Sequence, residues 1–182
     1  MTTPTTRTLG RDDWMTPREV FDPVNDLVRF DLDACATDLS VAQYPRFISP
    51  EEDALTVKWS ERGSRVWCNP PYGRGIKDWF IKAAQESGDL DALVLLVYAN
   101  TDTSYWHNQV AGCLYAKMVV FIKPRVKFVL PGEVARAGAP KGSALVFYSR
   151  HARGRLTHEY WDYQSESLDA VIGSKEGWWE RD

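Results

Sequence analysis

The residues best suited to chemistry in this chain stand together as Asn69-Pro70-Pro71-Tyr72, directly after a short apolar run at residues 65–68. The Asn69 side-chain oxygen and the Pro70 carbonyl are two hydrogen-bond acceptors, and the following Pro71 has no N–H to compete for that carbonyl. An exocyclic amine on a nucleobase offers two N–H donors and a flat ring. The segment therefore favours holding such an amine with its lone pair free to attack, while Tyr72 stacks on the ring. Taken alone, the tetrapeptide also fits a rigid Pro-Pro turn with a buried tyrosine.

The elements around this segment predict where it lies. Residues 65–68 form a brief strand that the two prolines must end, and residues 76–87 carry apolar side chains on one face, as an amphipathic helix does. Residues 91–99 are a continuous apolar run, typical of a strand buried on both sides. Strand, helix and strand form the unit of a parallel sheet, whose ligands bind beyond the carboxyl ends of the strands. Asn69 is therefore expected at the ligand-binding edge.

The remaining chain predicts further elements. Thr16 fits a helix N-cap and Pro17 the first helical position, ahead of apolar residues at helical spacing through residue 28. Residues 28–36 alternate as a strand that ends in small residues, and residues 37–60 show no clear period. Residues 101–113 resemble a loop entering a helix, with Thr103 or Ser104 as its cap. The strand-like residues 116–130 and 142–149 are expected to pair antiparallel at one edge of the sheet.

Composition bounds the class of protein. The 182 residues are 44% hydrophobic and 26% charged with a net charge of −3, which is typical of a globular domain and excludes collagenous, disordered and coiled-coil classes. Residues 1–11 are predicted to be a flexible leader and residues 12–182 a single domain, with a C-terminal tail from about residue 150. No window has the run of about 18 apolar residues that a membrane span needs, and no signal-peptide core is present, so a cytoplasmic location is expected.

Charge is distributed unevenly along the chain. Residues 117–155 contain nine Lys or Arg against a single acid, Glu133, so this stretch has a net charge of +8 and the other residues have −11. A basic segment on an acidic body is typical of a protein that touches phosphates, although a solvated polar face has the same composition.

The order of motifs resembles a known family. An Asn-Pro-Pro-Tyr segment at a strand end is the catalytic motif of S-adenosylmethionine-dependent amino-group methyltransferases, and the surrounding pattern looks more specifically like the small phage and prophage DNA N6-adenine methyltransferases of the Dam-like type. The resemblance implies a Rossmann-like methyltransferase fold of the α/β class, mostly parallel, with the antiparallel strand pair at one edge. It covers roughly residues 12–148 and rests on five elements: Asp13-Trp14-Met15-Thr16-Pro17, Asp31-Leu32-Asp33-Ala34-Cys35-Ala36, Glu52-Asp53-Ala54-Leu55 followed by Trp59, residues 69–73, and the apolar strand 93–99.

The resemblance assigns two segments to the methionine end of S-adenosylmethionine. The segment with Trp14, Thr16 and Pro17 looks like the one that holds the methionine carboxylate, with Thr16 as the polar group. The strand end that carries Ala34 and Cys35 is similar to the position that meets the methionyl ammonium, although the glycines of the family pattern are absent. Two acids precede it on the same side of the strand, Asp31 and Asp33, and the second is preferred because it lies closer to the strand end.

The resemblance also assigns a place for the adenine ring of the cofactor. Asp53 and Leu55 are similar to the acid and apolar pair that meet this ring, and Asn69 belongs to both the cofactor-binding and the catalytic residues. No acid can be matched to the cofactor ribose, because residues 37–52 contain no strand that ends in Asp or Glu.

The implied activity is direct transfer of the methyl group to the N6 amine of an adenine in DNA. The donor is already activated by its positive sulfur, so no covalent enzyme intermediate or strong general base is needed. The catalytic residues are expected to be Asn69, Pro70, Pro71 and Tyr72, and the adenine must be rotated out of the duplex. A phage-encoded enzyme of this type acts in the cytoplasm of the bacterial host.

DNA contacts are expected in the basic later half, because the chain has no room for a large separate recognition domain. The loop at residues 123–143 combines basic residues with glycine and proline and can lie along a groove. The residues expected to reach phosphates or base edges are Lys123, Arg125, Lys127, Arg136 and Lys141.

Three alternatives remain open. The same motif occurs in enzymes that methylate a protein glutamine amide or guanine N2 in RNA. Enzymes acting on cytosine N4 more often carry Ser at the first motif position, so Asn69 favours adenine. A DNA-binding module with a decayed cofactor site is the hypothesis that the missing glycines favour. The spacing of the three cysteines and three histidines predicts no metal site, disulfide or nucleophile, and the sequence does not indicate the target sequence, the strand preference or the oligomeric state.

Overall fold

The computed structural model describes residues 14–37, 42–43, 46–129 and 138–173, so the predicted leader at residues 1–11 lies outside the described residues. The helices are α1 (Arg18–Val28), α2 (Ile76–Glu86), α3 (Ser104–Trp106, continued by a π-helical turn at His107–Ala111) and α4 (Leu168–Ile172). The strands are β1 (Leu32–Asp33), β2 (Arg65–Cys68), β3 (Ala92–Tyr98), β4 (Ala116–Lys123), β5 (Ser143–Tyr148) and β6 (Thr157–Asp162). A 3₁₀ turn at Trp59–Glu61 precedes β2.

The six strands form one mixed sheet in the order β1-β2-β3-β5-β4-β6. Only β5 runs against its neighbours; β1, β2 and β3 pair in parallel, and so do β4 and β6. The predicted Rossmann-like α/β class with a mostly parallel sheet is confirmed, as is the antiparallel pairing of β4 with β5. That pair lies inside the sheet rather than at its edge, because β6, which comes from the predicted tail, pairs with the outer side of β4.

Strand β3 shows why the core has two layers. Its alternate side chains Val94 and Leu96 belong to a cluster that includes the apolar face of α1, while Leu93 and Leu95 belong to a second cluster with α2. All four are fully buried. The continuous apolar run thus becomes a central strand covered on both faces, as the sequence predicts.

Helix α1 begins one residue later than predicted. Pro17, not Thr16, takes the N-cap position with an extended backbone (φ −63°, ψ 146°), and no side chain caps the helix. The residues before it are held extended because Met15 exchanges two backbone hydrogen bonds with Val129, at 2.8 and 3.1 Å. At the other end Arg29 adopts a left-handed conformation (φ 56°), so β1 is shorter than the predicted strand at residues 28–36.

The carboxyl ends of the parallel strands meet at one edge of the sheet. β1 ends at Asp33, β2 at Cys68, β3 at Tyr98 and β4 at Lys123, while the antiparallel β5 begins there at Ser143. The segment at residues 69–72 follows β2 directly and therefore lies at this edge.

Candidate active site

Both the nitrogen and the oxygen of the Asn69 side-chain amide make hydrogen bonds. Its Nδ2 donates to the Trp14 carbonyl at 3.3 Å, and its Oδ1 accepts the Tyr72 hydroxyl at 2.9 Å. The same hydroxyl lies 3.1 Å from the Leu96 carbonyl, so one phenolic hydrogen is shared between two acceptors. Because an amide oxygen has two lone pairs, Asn69 Oδ1 keeps an acceptor position for a further donor.

The Pro70 carbonyl is the second predicted acceptor. Pro70 is buried and Pro71 is half-buried. Within the part of the chain that the structure describes, no backbone N–H donates to the Pro70 carbonyl, and Pro71 has no N–H of its own. This turn is rigid and leaves a carbonyl oxygen available one residue after Asn69.

Tyr72 is packed among other aromatic rings. Its ring stacks on Tyr98 with centroids 4.2 Å apart and planes 21° apart, and Phe128 lies at 5.6 Å with a 59° tilt. Burial raises the pKa of Tyr72 well above its ordinary value, so the phenol stays protonated and donates its hydrogen near neutral pH. Because Tyr98 covers one face of the Tyr72 ring, the predicted stacking on a substrate ring must use the opposite side.

The space beside Tyr72, named here the aromatic cavity, has a volume of about 390 Å³, within the range of small-molecule pockets. Trp14, Tyr72, Tyr98 and Phe128 line it, and residues 138–140 complete its wall. The sequence predicts that Trp14 binds the cofactor together with residues after β1. The structure instead brings it to this cavity, on the Tyr72 side of the motif.

A second space, the strand-end cavity, lies on the Pro71 side of the motif and has a volume of about 240 Å³. Ala34, Cys35 and Asp53 line it together with Pro71 and Trp79. Three residues predicted to bind the cofactor therefore meet one residue of the predicted catalytic motif.

Asp53 is positioned in this wall by an unusual backbone conformation. Its φ of 53° lies in the left-handed region, which Asp adopts more readily than most residues because its short side chain can hydrogen-bond to the local backbone. Its Oδ1 accepts the Leu55 backbone N–H at 3.2 Å. Leu55 itself packs against the core cluster that contains Ala54 and Trp59, and it is not among the residues that line the cavity.

Asp33 lies just behind the strand-end cavity. Its side chain is 2% exposed and accepts backbone N–H groups from Gln43 at 2.8 Å and Cys35 at 3.0 Å. Removal from water raises its pKa from 3.8 to about 6, although both hydrogen bonds act in the opposite direction. Thr16, predicted to hold the methionine carboxylate, is also 2% exposed, and its Oγ1 has no hydrogen-bond partner within the described ranges. Pro17, the next residue and the N-cap of α1, is buried as well.

Asp31 does not reach the site. Its carboxylate accepts the backbone N–H groups of Ser64 at 3.0 Å and Arg65 at 2.9 Å, at the start of β2. Gly63 lies against the same carboxylate, where an added Cβ would meet Asp31 Oδ1 at 2.5 Å. Asp31 therefore holds the amino end of β2 against β1, at the edge opposite to Asn69, and of the two acids only Asp33 remains a cofactor-binding candidate.

Three of the residues predicted to bind DNA are exposed at the end of β4. Lys123 has a side chain that is 70% exposed and lies 3.6 Å from the Asp162 carboxylate. Arg125 donates to the carbonyls of residues 139 and 140 at 3.3 and 2.8 Å, and so holds the wall of the aromatic cavity. Lys127 is exposed. A fourth predicted residue, Arg136, lies outside the described residues.

Lys141, another of the predicted DNA-binding residues, lies beside the motif. Its Nζ is 3.1 Å from Asn100 Oδ1, and both residues line a cavity of about 230 Å³ together with Tyr72 and Tyr98. A cation thus lies beside the Tyr72 ring, three residues after the Asn69 amide.

Tyr98, Asn100 and Phe128 line cavities of the candidate site, and the sequence patterns do not reveal them by themselves. Tyr98 is the last residue of β3 and Asn100 follows it, so the rule that placed Asn69 at the carboxyl edge applies to both. Phe128 lies beyond β4 in a segment without regular structure, where no local pattern marks it.

Two further observations concern the described residues alone. They contain no group of three or more His, Cys, Asp or Glu placed to hold a metal ion. None of their helices has the length and apolar character needed to cross a membrane.

Comparison with known proteins identifies the family to which the chain belongs. A family model described as DNA N-6-adenine-methyltransferase (Dam) matches residues 3–168. Over 130 residues the chain is 29% identical to a DNA N-6-adenine-methyltransferase of Escherichia phage T1; the alignment covers 70% of this chain and 52% of the phage protein. The chain therefore spans about half the length of this relative.

Two solved structures are also similar. The type IIL restriction-modification enzyme MmeI, solved in complex with DNA, matches 78% of this chain and 23% of its own chain with a TM-score of 0.46 and 11% identity. A predicted O-methyltransferase from Agrobacterium tumefaciens matches 73% of this chain and 54% of its own chain with a TM-score of 0.36 and 23% identity.

The family model matches most of the length of the present chain, at residues 3–168. The chain therefore belongs to the DNA N-6-adenine-methyltransferase (Dam) family.

Proposed function

We propose that this protein transfers a methyl group from S-adenosylmethionine to the N6 amine of an adenine that is rotated out of DNA. The observation that carries the proposal is the place of the catalytic motif between two cavities. Pro71 lines the strand-end cavity and Tyr72 lines the aromatic cavity, with Asn69 fixed by hydrogen bonds to Trp14 and Tyr72. Family membership supports the same activity.

Each cavity suits a different ligand: the aromatic cavity suits the target adenine, and the strand-end cavity suits the cofactor. The aromatic cavity offers flat apolar walls of Trp14, Tyr98 and Phe128 to a nucleobase, and base–aromatic stacking contributes about 1–3 kcal/mol. The strand-end cavity offers the small residues Ala34 and Cys35 and the carboxylate of Asp53, which suits the adenosine part of the cofactor. A bound adenine amine and a bound methyl donor would then approach each other beside Asn69.

The residues present fit S-adenosylmethionine. Near the end of β1 lie a buried Thr16 hydroxyl, which has no hydrogen-bond partner among the described residues, and the buried carboxylate of Asp33. The carboxylate and the ammonium of a ligand would complement these two groups. When bound, the cofactor supplies a methyl group on a positively charged sulfur. The ribose-binding residue stays unassigned.

The motif residues then act by positioning and by electrostatics. Asn69 Oδ1 and the Pro70 carbonyl accept the two hydrogens of the target amine and hold its lone pair toward the donor. The positive charge that grows on the amine faces two oxygen dipoles, which is a fixed electrostatic stabilisation. The Tyr72 hydroxyl orients the Asn69 amide. No residue needs to remove a proton before transfer, because the methylated amine loses one of its hydrogens to water as a proton afterwards.

DNA is the proposed partner, and the bacterial host cytoplasm the proposed location. Rotation of the base out of the stack costs about a few kcal/mol, which contacts to the flipped base and backbone must offset. Lys141 stands beside Tyr72 and Asn100 at the mouth of the site, while Lys123 and Lys127 are exposed farther along the same edge. These cations are placed to contact phosphates on either side of the flipped nucleotide.

Nucleoside mass spectrometry of DNA from cells that express the protein tests the function. We expect N6-methyladenine with the wild-type chain and with Asn108→Ala, a control at an exposed asparagine in the π-helical turn after α3. Asn69→Ala should lower turnover by at least about 10²-fold, because one of the two oxygen dipoles that face the amine is removed. Labelled methyl groups that appear in RNA, protein or cytosine, or Asn69→Ala with near-normal turnover, would contradict the proposal.

A further inference from the structure

Gln43 connects the two segments that the cofactor site requires. Its backbone N–H donates to Asp33 Oδ2 at 2.8 Å, and its side-chain Nε2 donates to the Thr16 carbonyl at 3.2 Å. Gln43 is 9% exposed, and Asp33 and Thr16 are each 2% exposed. The residue therefore holds together the end of β1 and the segment before α1 within a buried polar cluster.

Two side-chain oxygens of this cluster are left without hydrogen bonds in the described part of the chain. These are Gln43 Oε1 and Thr16 Oγ1, both sealed from water. Buried polar atoms without partners cost free energy, and native proteins seldom leave them so unless a ligand or a bound water completes the set. Two such atoms beside a buried carboxylate therefore point to a polar ligand group.

The chemistry of the three side chains defines that group. An amide oxygen and a carboxylate accept hydrogen bonds and favour a cation, whereas a hydroxyl can donate to an anion. A ligand with an ammonium and a carboxylate on one carbon satisfies all three. Asp33 lies one residue before Ala34, and Cys35, whose N–H binds Asp33, lines the strand-end cavity. The cluster is thus directly behind the wall of the cavity assigned to the adenosine part.

We propose that Gln43 is a cofactor-binding residue, whose side-chain oxygen accepts a hydrogen bond from the ammonium of the amino-acid end of the cofactor. Asp33 neutralises the same ammonium, and the Thr16 hydroxyl donates to the neighbouring carboxylate. This inference rests on the proposed function, because it assumes a cofactor that carries an α-amino acid. Gln43 lies outside the sequence motifs. Its two hydrogen bonds within the protein use its backbone N–H and its Nε2, so its side-chain oxygen is left to bind the ligand.

A comparison of two thioether ligands tests the inference by calorimetry. S-adenosylhomocysteine carries the amino-acid end, and 5′-methylthioadenosine lacks it. In Gln43→Leu we expect the affinity for S-adenosylhomocysteine to fall by about tenfold or more, since a charge-assisted hydrogen bond is removed. The affinity for 5′-methylthioadenosine should stay within about twofold, because its contacts lie in the strand-end cavity. Gln85→Leu, at an exposed position of α2, is the matched control and should change neither affinity.

Folding is checked by circular dichroism, and Gln43→Met is the second variant because its unbranched side chain has nearly the same length. The inference is overturned if a folded Gln43 variant binds S-adenosylhomocysteine like the wild type, or loses both ligands equally. A wild-type chain that binds S-adenosylhomocysteine no better than 5′-methylthioadenosine overturns the inference alone. A wild-type chain that binds neither ligand overturns the proposed function as well.

Discussion

Asp33 carries a carboxylate whose burial changes its acid–base chemistry. Removal from water raises its pKa from 3.8 to about 6, so the folded protein binds the proton more tightly than the unfolded chain. The stability lost on ionisation grows as the pH rises above 3.8, is complete above about 6, and amounts to about 3 kcal/mol. A cation beside the carboxylate would offset this cost, and the ammonium of the cofactor is the proposed cation.

We predict that S-adenosylhomocysteine binds more weakly as the pH falls through about 6. Bound ammonium favours the ionised form of Asp33, so below that pH binding must release a proton and the affinity should fall toward about tenfold per pH unit. Calorimetry between about pH 5 and pH 7.5 measures the change. The ligand without an amino-acid end, 5′-methylthioadenosine, should show no such fall.

Asp33→Asn is the control for this prediction, because the neighbouring thiol does not titrate in the same range. The Cys68 thiol lies close enough to interact with the Asp33 charge, and burial raises the pKa of Cys68 well above its ordinary value, so that thiol stays neutral. Asp33→Asn should bind S-adenosylhomocysteine weakly at every pH in the range. A wild-type affinity that is the same at both ends of the range would show that Asp33 does not meet the ammonium.

At the scale of elements, the sequence predicts best where burial is uniform along a segment. β3 is apolar on both faces and α2 on one face, so their patterns stand out from the surrounding chain. β6 escapes prediction because its pattern is mixed: Trp161 is buried in one core cluster, while His158 and Tyr160 stack with Phe121 on the opposite face. Aromatic residues on both faces hide the alternation on which strand prediction depends.

Some residues of the candidate site can be predicted from the sequence, and others cannot. Asn69, Pro70 and Tyr72 are adjacent in sequence, so their chemistry can be recognised locally. Tyr98 and Phe128 come from distant parts of the chain, and only the strand order brings them against Tyr72. The choice between Asp31 and Asp33 needs the structure as well. Strand alternation puts both acids on the same side, but Asp31 lies just before β1 beside the start of β2, whereas Asp33 is the last residue of β1.

We predict that Asp31→Ala lowers stability without changing cofactor affinity. The variant removes the acceptor of the Ser64 and Arg65 backbone N–H groups, which should cost about 1–3 kcal/mol of the free energy of unfolding. Urea denaturation and calorimetry with S-adenosylhomocysteine measure the two quantities. Asp26→Ala, at an exposed position of α1, is the control and should change stability by less than about 0.5 kcal/mol. Loss of affinity in folded Asp31→Ala would return this residue to the cofactor site.

At the scale of the whole molecule, the fold divides the basic stretch between two edges of the sheet. Lys123, Lys127 and Lys141 lie at the carboxyl edge with the candidate site. Lys117 lies near the start of β4 at the opposite edge, where its Nζ donates to the Arg153 carbonyl at 2.9 Å. Arg150 lies at that edge too, 2.5 Å from the Asp91 carboxylate. A linear count of charge over residues 117–155 therefore overstates the cations available to DNA at the site.

We predict that only the carboxyl-edge cations contribute to the salt dependence of DNA binding. Each phosphate that is no longer neutralised should reduce the slope of log affinity against log salt by about 0.9, because fewer counterions are released. The test variant changes Lys123, Lys127 and Lys141 to Gln; Arg125 is kept because it holds residues 139–140. The charge-matched control changes Lys117, Arg153 and Arg155 to Gln at the opposite edge and should leave the slope as it is in the wild type. Fluorescence anisotropy with duplex DNA at several salt concentrations measures the slopes. Equal slopes for the two variants would mean that DNA does not approach along the carboxyl edge, and the recognition surface would have to be sought elsewhere on the chain.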